Sequence, residues 1–181
     1  YGLLGILGLF CLSVIASYTH LFLAHGYIHN TIVIIIGIFF FIRIKQKDLK
    51  ELKFSSIIFT LLFISILIAK TNEDFGYYHL PNTIQFAQQK LQFGLGNINH
   101  GFKHISSIFQ LMSLHYLPFF EYKLFNLTNF LFLFFFSIYA LRHIINNYPL
   151  NLNISKLILS FLLILFISKF SRIAEYGSDI S

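Results

Sequence analysis

The sequence predicts an all-α membrane protein: a polytopic transmembrane bundle of about five spans, with interfacial helices in its first large polar loop. Three observations predict it. Of the 181 residues, 56% are hydrophobic and only 11% charged, against roughly a quarter charged in soluble domains. The apolar residues come in blocks on the scale of a bilayer crossing, about 17–25 residues per helix. The bases cluster beside those blocks, so the net charge of +6 reads as membrane orientation and not as a nucleic-acid surface.

The first apolar block covers residues 1–18, and a short link to Tyr27 carries His20 and His25. The second block, 28–42, stops at Arg43, where five bases fall between Arg43 and Lys53. Lys and Arg favour cytoplasmic loops, so this segment is expected to face the cytoplasm. The third block, 54–69, then leads outward into the longest polar stretch, 70–104. Residues 105–122 mix Phe, Leu and Met with Gln, Ser and His. They read as a helix lying in the interface, with a short buried span as the alternative. The fourth block, 123–141, ends at Arg142 and His143, and the fifth, 157–170, begins beside Lys156. The whole chain reads as one transmembrane domain of a plasma-membrane protein, with the 70–122 loop on the periplasmic side. It opens inside an apolar stretch and stops just past a membrane exit, as a fragment of a longer protein would. Cys11 lies within an apolar run and suggests neither a disulfide framework nor a thiol metal site.

Two polar segments carry the chemistry. The stretch from Asn72 to Pro81 starts where the third block ends and places Glu73 and Asp74 side by side, followed by Tyr77, Tyr78 and His79. Ionisable groups at a membrane exit are costly unless solvated or paired, and so suggest a functional site; the plainer reading is that they stop the span. Pro81 suits the first turn of a following helix, where its missing N–H is harmless. The second segment, Gly94 to His104, combines turn glycines with Asn97, Asn99, His100, Lys103 and His104. These donors suit phosphate or sugar hydroxyls, Lys103 as a point charge; the plainer reading is a solvated loop. A tail with Arg172, Glu175 and Asp179 is expected on the same side of the membrane. His25 and His29, like His100 and His104, stand four apart, a spacing metal sites use, but the Glu-rich companions of a di-iron bundle are missing. No metal site is assigned. The Asn126-Leu-Thr128 match to a glycosylation acceptor falls in an apolar stretch and reads as chance.

The run Glu73-Asp74-Phe75-Gly76-Tyr77-Tyr78-His79-Leu80-Pro81 resembles the first periplasmic loop of the GT-C class of membrane glycosyltransferases, which take sugars from polyprenyl-phosphate carriers. Within that class the chain is most similar to a subgroup of large multi-spanning bacterial proteins. There an Asp-Phe-Gly-x-Tyr-His start precedes a Gly-Leu-Gly-Asn and His-Gly segment, here Gly94 to Gly101, and an Arg-Ile-x-Glu-Tyr-Gly-x-Asp stretch, here Arg172 to Asp179. The resemblance implies that Asp74, with Glu73 beside it, is the catalytic carboxylate. Tyr78, His79, Asn97, His100, Lys103, His104, Arg172 and Asp179 would then bind substrate. The chain departs from the subgroup at Phe102-Lys103, where an Arg usually follows His-Gly, and it has fewer spans than a complete enzyme of the class.

Such a transfer needs a base for the acceptor hydroxyl, worth roughly 10²–10⁴-fold, and positive charge or donors for the departing phosphate. Mg2+ or Mn2+ bridging carboxylate and phosphate suits oxygen ligands, although the sequence does not require a metal. The competing reading is a transporter or flippase component whose loop binds a lipid headgroup without using Asp74 as a base. Transporters favour ionisable groups at mid-bilayer and helices broken by Gly or Pro. The best spans here show neither feature convincingly, and Gly37 is an isolated interruption.

Overall fold

The computed structural model describes residues 1–43, 48–66, 70–71, 74–98, 100–103, 106–146, 154–168 and 175–176. Each apolar block forms a helix: α1 (Gly2–His20), α2 (Tyr27–Arg43), α3 (Leu49–Ile66), α6 (Leu127–Asn146) and α7 (Ile154–Ser168). Between α3 and α6 lie two short helices, α4 (Leu80–Gln88) and α5 (Ser107–Ser113). The all-α expectation needs one addition. The two-residue strands β1 (Lys70–Thr71) and β2 (Glu175–Tyr176) pair in parallel.

Local chemistry sets several helix starts. Asp48 Oδ1 accepts the N–H groups of Lys50 at 2.8 Å and Glu51 at 3.4 Å, capping α3. Ser106 Oγ accepts from the Ile108 N–H and caps α5. Pro81 occupies the first turn of α4, as its missing N–H favours.

Helix α6 is the central pillar, packed against α1, α3, α5 and α7. Ile58 and Leu62 of α3 meet Phe130, Leu133 and Ile138 of α6 in the main core. Gly2 of α1 lies against the Tyr139 and Phe135 backbone of α6, and Gly5 lies against the Phe135 ring. At the start of α3, Glu51 Oε1 pairs with an Arg142 guanidinium nitrogen at 2.7 Å, and the same guanidinium sits 4.2 Å over the Phe54 ring. Helices α1 and α3 therefore begin where α6 ends, which makes both antiparallel to it. At the opposite end, α4 and α5 build a polar cap with its own core of Phe86, Phe109, Met112 and Phe125.

The helix surfaces are apolar. Leu4 is 70% exposed, Phe10 65% and Ile28 79%, and rows of such residues cover α1, α2 and α7. Among the described residues, Gly2–His20 and Tyr122–Ile145 are long and apolar enough to cross a membrane, while Tyr27–Arg43 and Ile154–Ser168 are shorter apolar helices.

The 105–122 segment departs from the interfacial helix expected. Helix α5 has seven residues, and its Phe109, Leu111 and Met112 are buried. The side chains that suggested an amphipathic surface helix find a protein core on α1 and α4 instead. The chain then turns through a tight hairpin, Leu117 bridging to Glu121, with positive φ at Phe119 (69°) and Glu121 (49°).

Candidate functional site

Asp74 is half-buried and directly precedes one turn of π-helix, Phe75–His79. Its backbone carbonyl accepts the Tyr77 and Tyr78 N–H groups, each at 3.2 Å, and the Leu80 N–H reaches back to the Phe75 carbonyl. The Pro81 ring carries no N–H with which to resume ordinary helical bonding, and the wider turn runs directly into α4. Such π-turns are rare and often mark functional sites. Tyr78 stacks on His79 with centroids 4.1 Å apart, and His79, 4% exposed, sets its ring edge-on to Phe109 at 5.1 Å. Tyr78 remains partly open to solvent, whereas His79 packs into the cap.

The second motif folds back onto the first. Gly94 takes the left-handed backbone its residue type allows (φ 88°), followed by 3-10 turns over Leu95–Asn97 and His100–Lys103. A Cβ at Gly96 would come within 2.9 Å of the Lys103 side chain, so the glycine permits the two turns to close. Fully buried Asn82 donates to the Tyr78 carbonyl at 2.7 Å and to the Gly101 carbonyl at 3.2 Å. One amide thus fastens the first motif to the second. Asn97, His100 and Lys103 are exposed at the surface of this junction.

The third motif is brought in by backbone alone. In the β1–β2 pair, Lys70 lies opposite Glu175 and Thr71 opposite Tyr176, so the third segment runs beside the chain that leads into Asp74. Parallel pairing requires both segments to travel the same way, which fits their position after α3 and α7. Glu73, Asn99, His104, Arg172 and Asp179 lie outside the described residues. The structure thus gathers Asp74, Tyr78, His79, Asn97, His100 and Lys103 around one junction and runs the Glu175–Tyr176 strand alongside its approach.

The sequence reading did not anticipate a buried polar knot under the cap. His25 is fully buried in the link between α1 and α2. The Ser113 hydroxyl donates to the Gln110 carbonyl, so His25 Nδ1–H donates to Ser113 Oγ at 2.7 Å. His25 Nε2 then accepts from the Thr19 hydroxyl at 3.1 Å. The His25 ring stacks on His29 at 4.9 Å and lies 5.1 Å from His20, whose Nε2 donates to the Gln89 carbonyl. The amide nitrogen of fully buried Asn30 lies 2.7, 2.8 and 2.9 Å from the carbonyl oxygens of His25, Ser113 and Tyr116, its two N–H groups shared among the three. Burial, reinforced by the neighbouring imidazoles of His29 and His20, pushes His25 down to about 4. His115 is lowered to about 4 by burial as well, and its Nδ1 bonds the Thr128 hydroxyl at 3.0 Å. Asn126 and Thr128 are both buried, so the apparent glycosylation acceptor is packing.

The spacing of His25 and His29 does place the two rings together, but both nitrogens of His25 are committed to hydroxyls. Among the described residues no group of three or more His, Cys, Asp or Glu side chains could hold a metal ion. The signal that would have found the knot is the run His20, His25, His29, Asn30, four polar side chains set between two apolar helices.

No curated protein and no solved structure matches this chain. A family model described as a domain of unknown function, DUF8201, matches residues 3–181, and the chain belongs to that family.

Proposed function

We propose that this chain is part of a polytopic plasma-membrane glycosyltransferase of GT-C type, with α1, α2, α3, α6 and α7 as five spans and the polar cap outside the cytoplasm. The reaction would move a sugar from a polyprenyl-phosphate donor to an acceptor in the cell envelope. One observation carries the reading: the first two motifs are fastened together at one end of the bundle, and a strand of the third pairs with the chain just before them. Asn82 joins the first to the second, and β1–β2 sets Glu175 and Tyr176 against Lys70 and Thr71. The exposed apolar rows of α1, α2 and α7 support lipid contact, since water-facing surfaces seldom carry large apolar patches.

In this mechanism the Asp74 carboxylate, with Glu73 beside it, takes the proton of the acceptor hydroxyl. The freed oxygen attacks the anomeric carbon, the bond from that carbon to the phosphate oxygen breaks, and the electron pair leaves with polyprenyl phosphate. Lys103 and His100, exposed at the junction, supply positive charge or donors to that phosphate, joined by His104 and Arg172. Asn97 and Tyr78 offer contacts to sugar hydroxyls, while His79, packed under Tyr78, orients it. A divalent cation, Mg2+ or Mn2+, would find its oxygen ligands in the carboxylates.

The test is turnover of lipid-linked sugar in membranes holding the full-length protein. Asp74→Asn should lower transfer by roughly 10²–10⁴-fold, and the polyprenyl-linked donor should accumulate as it does on deletion, at unchanged protein level. Gln88→Ala, on the exposed end of α4, should behave as the parent. If Asp74→Asn keeps parental turnover while deletion retains its phenotype, the carboxylate only ends a helix and the headgroup-binding transporter reading replaces this one.

A further inference from the structure

The hairpin between α5 and α6 is built around a residue that its backbone disfavours. Phe119 has φ 69° and is 97% exposed, and Glu121, two residues on, has φ 49°. Glycine or asparagine accommodates such a backbone at least cost, and a bulky side chain there is a genuine outlier. The ring contributes nothing to the core, so its use lies outside the chain.

The position of the hairpin indicates what it meets. The apolar stretch Tyr122–Ile145 begins one residue after it. The root of the hairpin is held level with the end of α2. Tyr27, the first residue of that helix, stacks on Tyr116 at 4.7 Å and donates to its hydroxyl at 3.1 Å. Tyr18 and Phe22, at the matching end of α1, are 66% and 64% exposed. Aromatic residues thus gather at the cap ends of three apolar helices, the arrangement found where helices leave a bilayer.

We infer that the Leu117–Glu121 hairpin is a membrane wedge, inserting Phe119 and Phe120 into the lipid interface of the leaflet nearest the cap. Glu121 and Lys123, both exposed, remain at headgroup level while the two rings reach roughly 5–10 Å toward the acyl chains. The inference rests on the membrane part of the proposed function, not on its glycosyl-transfer part.

Residues 1–181 contain no tryptophan, so once any tryptophan elsewhere in the full-length protein is replaced by phenylalanine, a single introduced indole reports its own surroundings. The full-length protein is reconstituted in phosphatidylcholine vesicles as Phe119→Trp, and its emission is read as a difference from the parent. Ile35→Trp, on the exposed face of α2, serves as the reference for lipid contact. Lipid brominated near the headgroup end of its chains should quench the Phe119→Trp emission at least about threefold more than aqueous iodide does, and more than lipid brominated near the chain terminus. Phe120→Trp gives the same reading where the first variant folds poorly. If iodide quenches both hairpin variants while lipid quenches only Ile35→Trp, the hairpin stands in water and the wedge is overturned with the membrane reading intact. If lipid quenches none of them, both fall together.

Discussion

His25 offers a direct view of how this chain uses polar groups where few can be tolerated. A buried imidazole is costly unless both nitrogens are satisfied, and here the Ser113 and Thr19 hydroxyls satisfy them. His25→Phe keeps much of the volume but removes both partners, leaving buried hydroxyls with fewer bonds. It should cost about 2–3 kcal/mol, read as a lowered thermal midpoint in detergent. The same residue makes stability depend on pH. Because the folded chain holds His25 and His115 near 4 against an ordinary 6.5, the unfolded chain takes up protons first. Their contribution is complete above 6.5 and is lost as pH falls toward about 4, so melting should ease across that interval. A much flatter profile in His25→Phe would trace the effect to this site. None of this was legible locally, because Ser113 lies 88 positions from its histidine and no spacing rule connects them. Asp74 is the contrary case. An acid at the end of an apolar block is visible to simple reading, whereas the π-turn that follows it is set by how α4 packs.

At the scale of elements, the five long helices are legible because a block of such length and apolarity has few other destinies. The short ones are less so. Helix α5 carries too many polar residues to look like core and too few to look like surface, and its burial depends on α1 being there to cover it. The α1–α6 contact gives a sharp test. A side chain at Gly5 would meet the Phe135 ring, whereas Gly8, on the same helix, has nothing within 4 Å. Gly5→Leu should destabilise the bundle by about 1–3 kcal/mol through overpacking, while Gly8→Leu should leave it unchanged or slightly firmer. Equal thermal midpoints for the two variants would show that α1 does not depend on close approach at Gly5. Helix α2 is held differently. Its foot is fixed by Asn30, while Ile35, Ile38 and Phe40 are each more than half exposed, an apolar surface of the kind that lipid or a packing partner covers.

For the whole molecule, the proposed membrane orientation rests on agreement between distant features. Arg43, Lys50 and Lys53, the Glu51–Arg142 pair and the starts of α1 and α3 share one end. Tyr18, Tyr27 and Tyr116, the histidine knot, the joined first two motifs and the β1–β2 pair share the other. Cysteine at Asn97, after replacement of Cys11, should therefore react with a membrane-impermeant thiol reagent added to intact cells, and cysteine at Lys50 should not. Reaction at Lys50 alone would invert the topology and place the cap in the cytoplasm. The layout of blocks and basic loops was readable in advance. The way the cap closes was not, because strand pairing between such distant short segments leaves no pattern in composition.

The parallel pair also bears on how the protein is made. Its strands lie roughly a hundred residues apart, so joining them closes a long loop and carries a large entropic cost until the helices between have ordered. A nascent chain that ends after α6 already contains Asp74 and both glycine-linked turns, yet it has no strand partner for Lys70 and Thr71. That partner arrives only once α7 and the Glu175–Tyr176 strand beyond it have been made. The chain just before Asp74 thus gains its strand partner late, and a chain cut short before Glu175 leaves Lys70 and Thr71 without it.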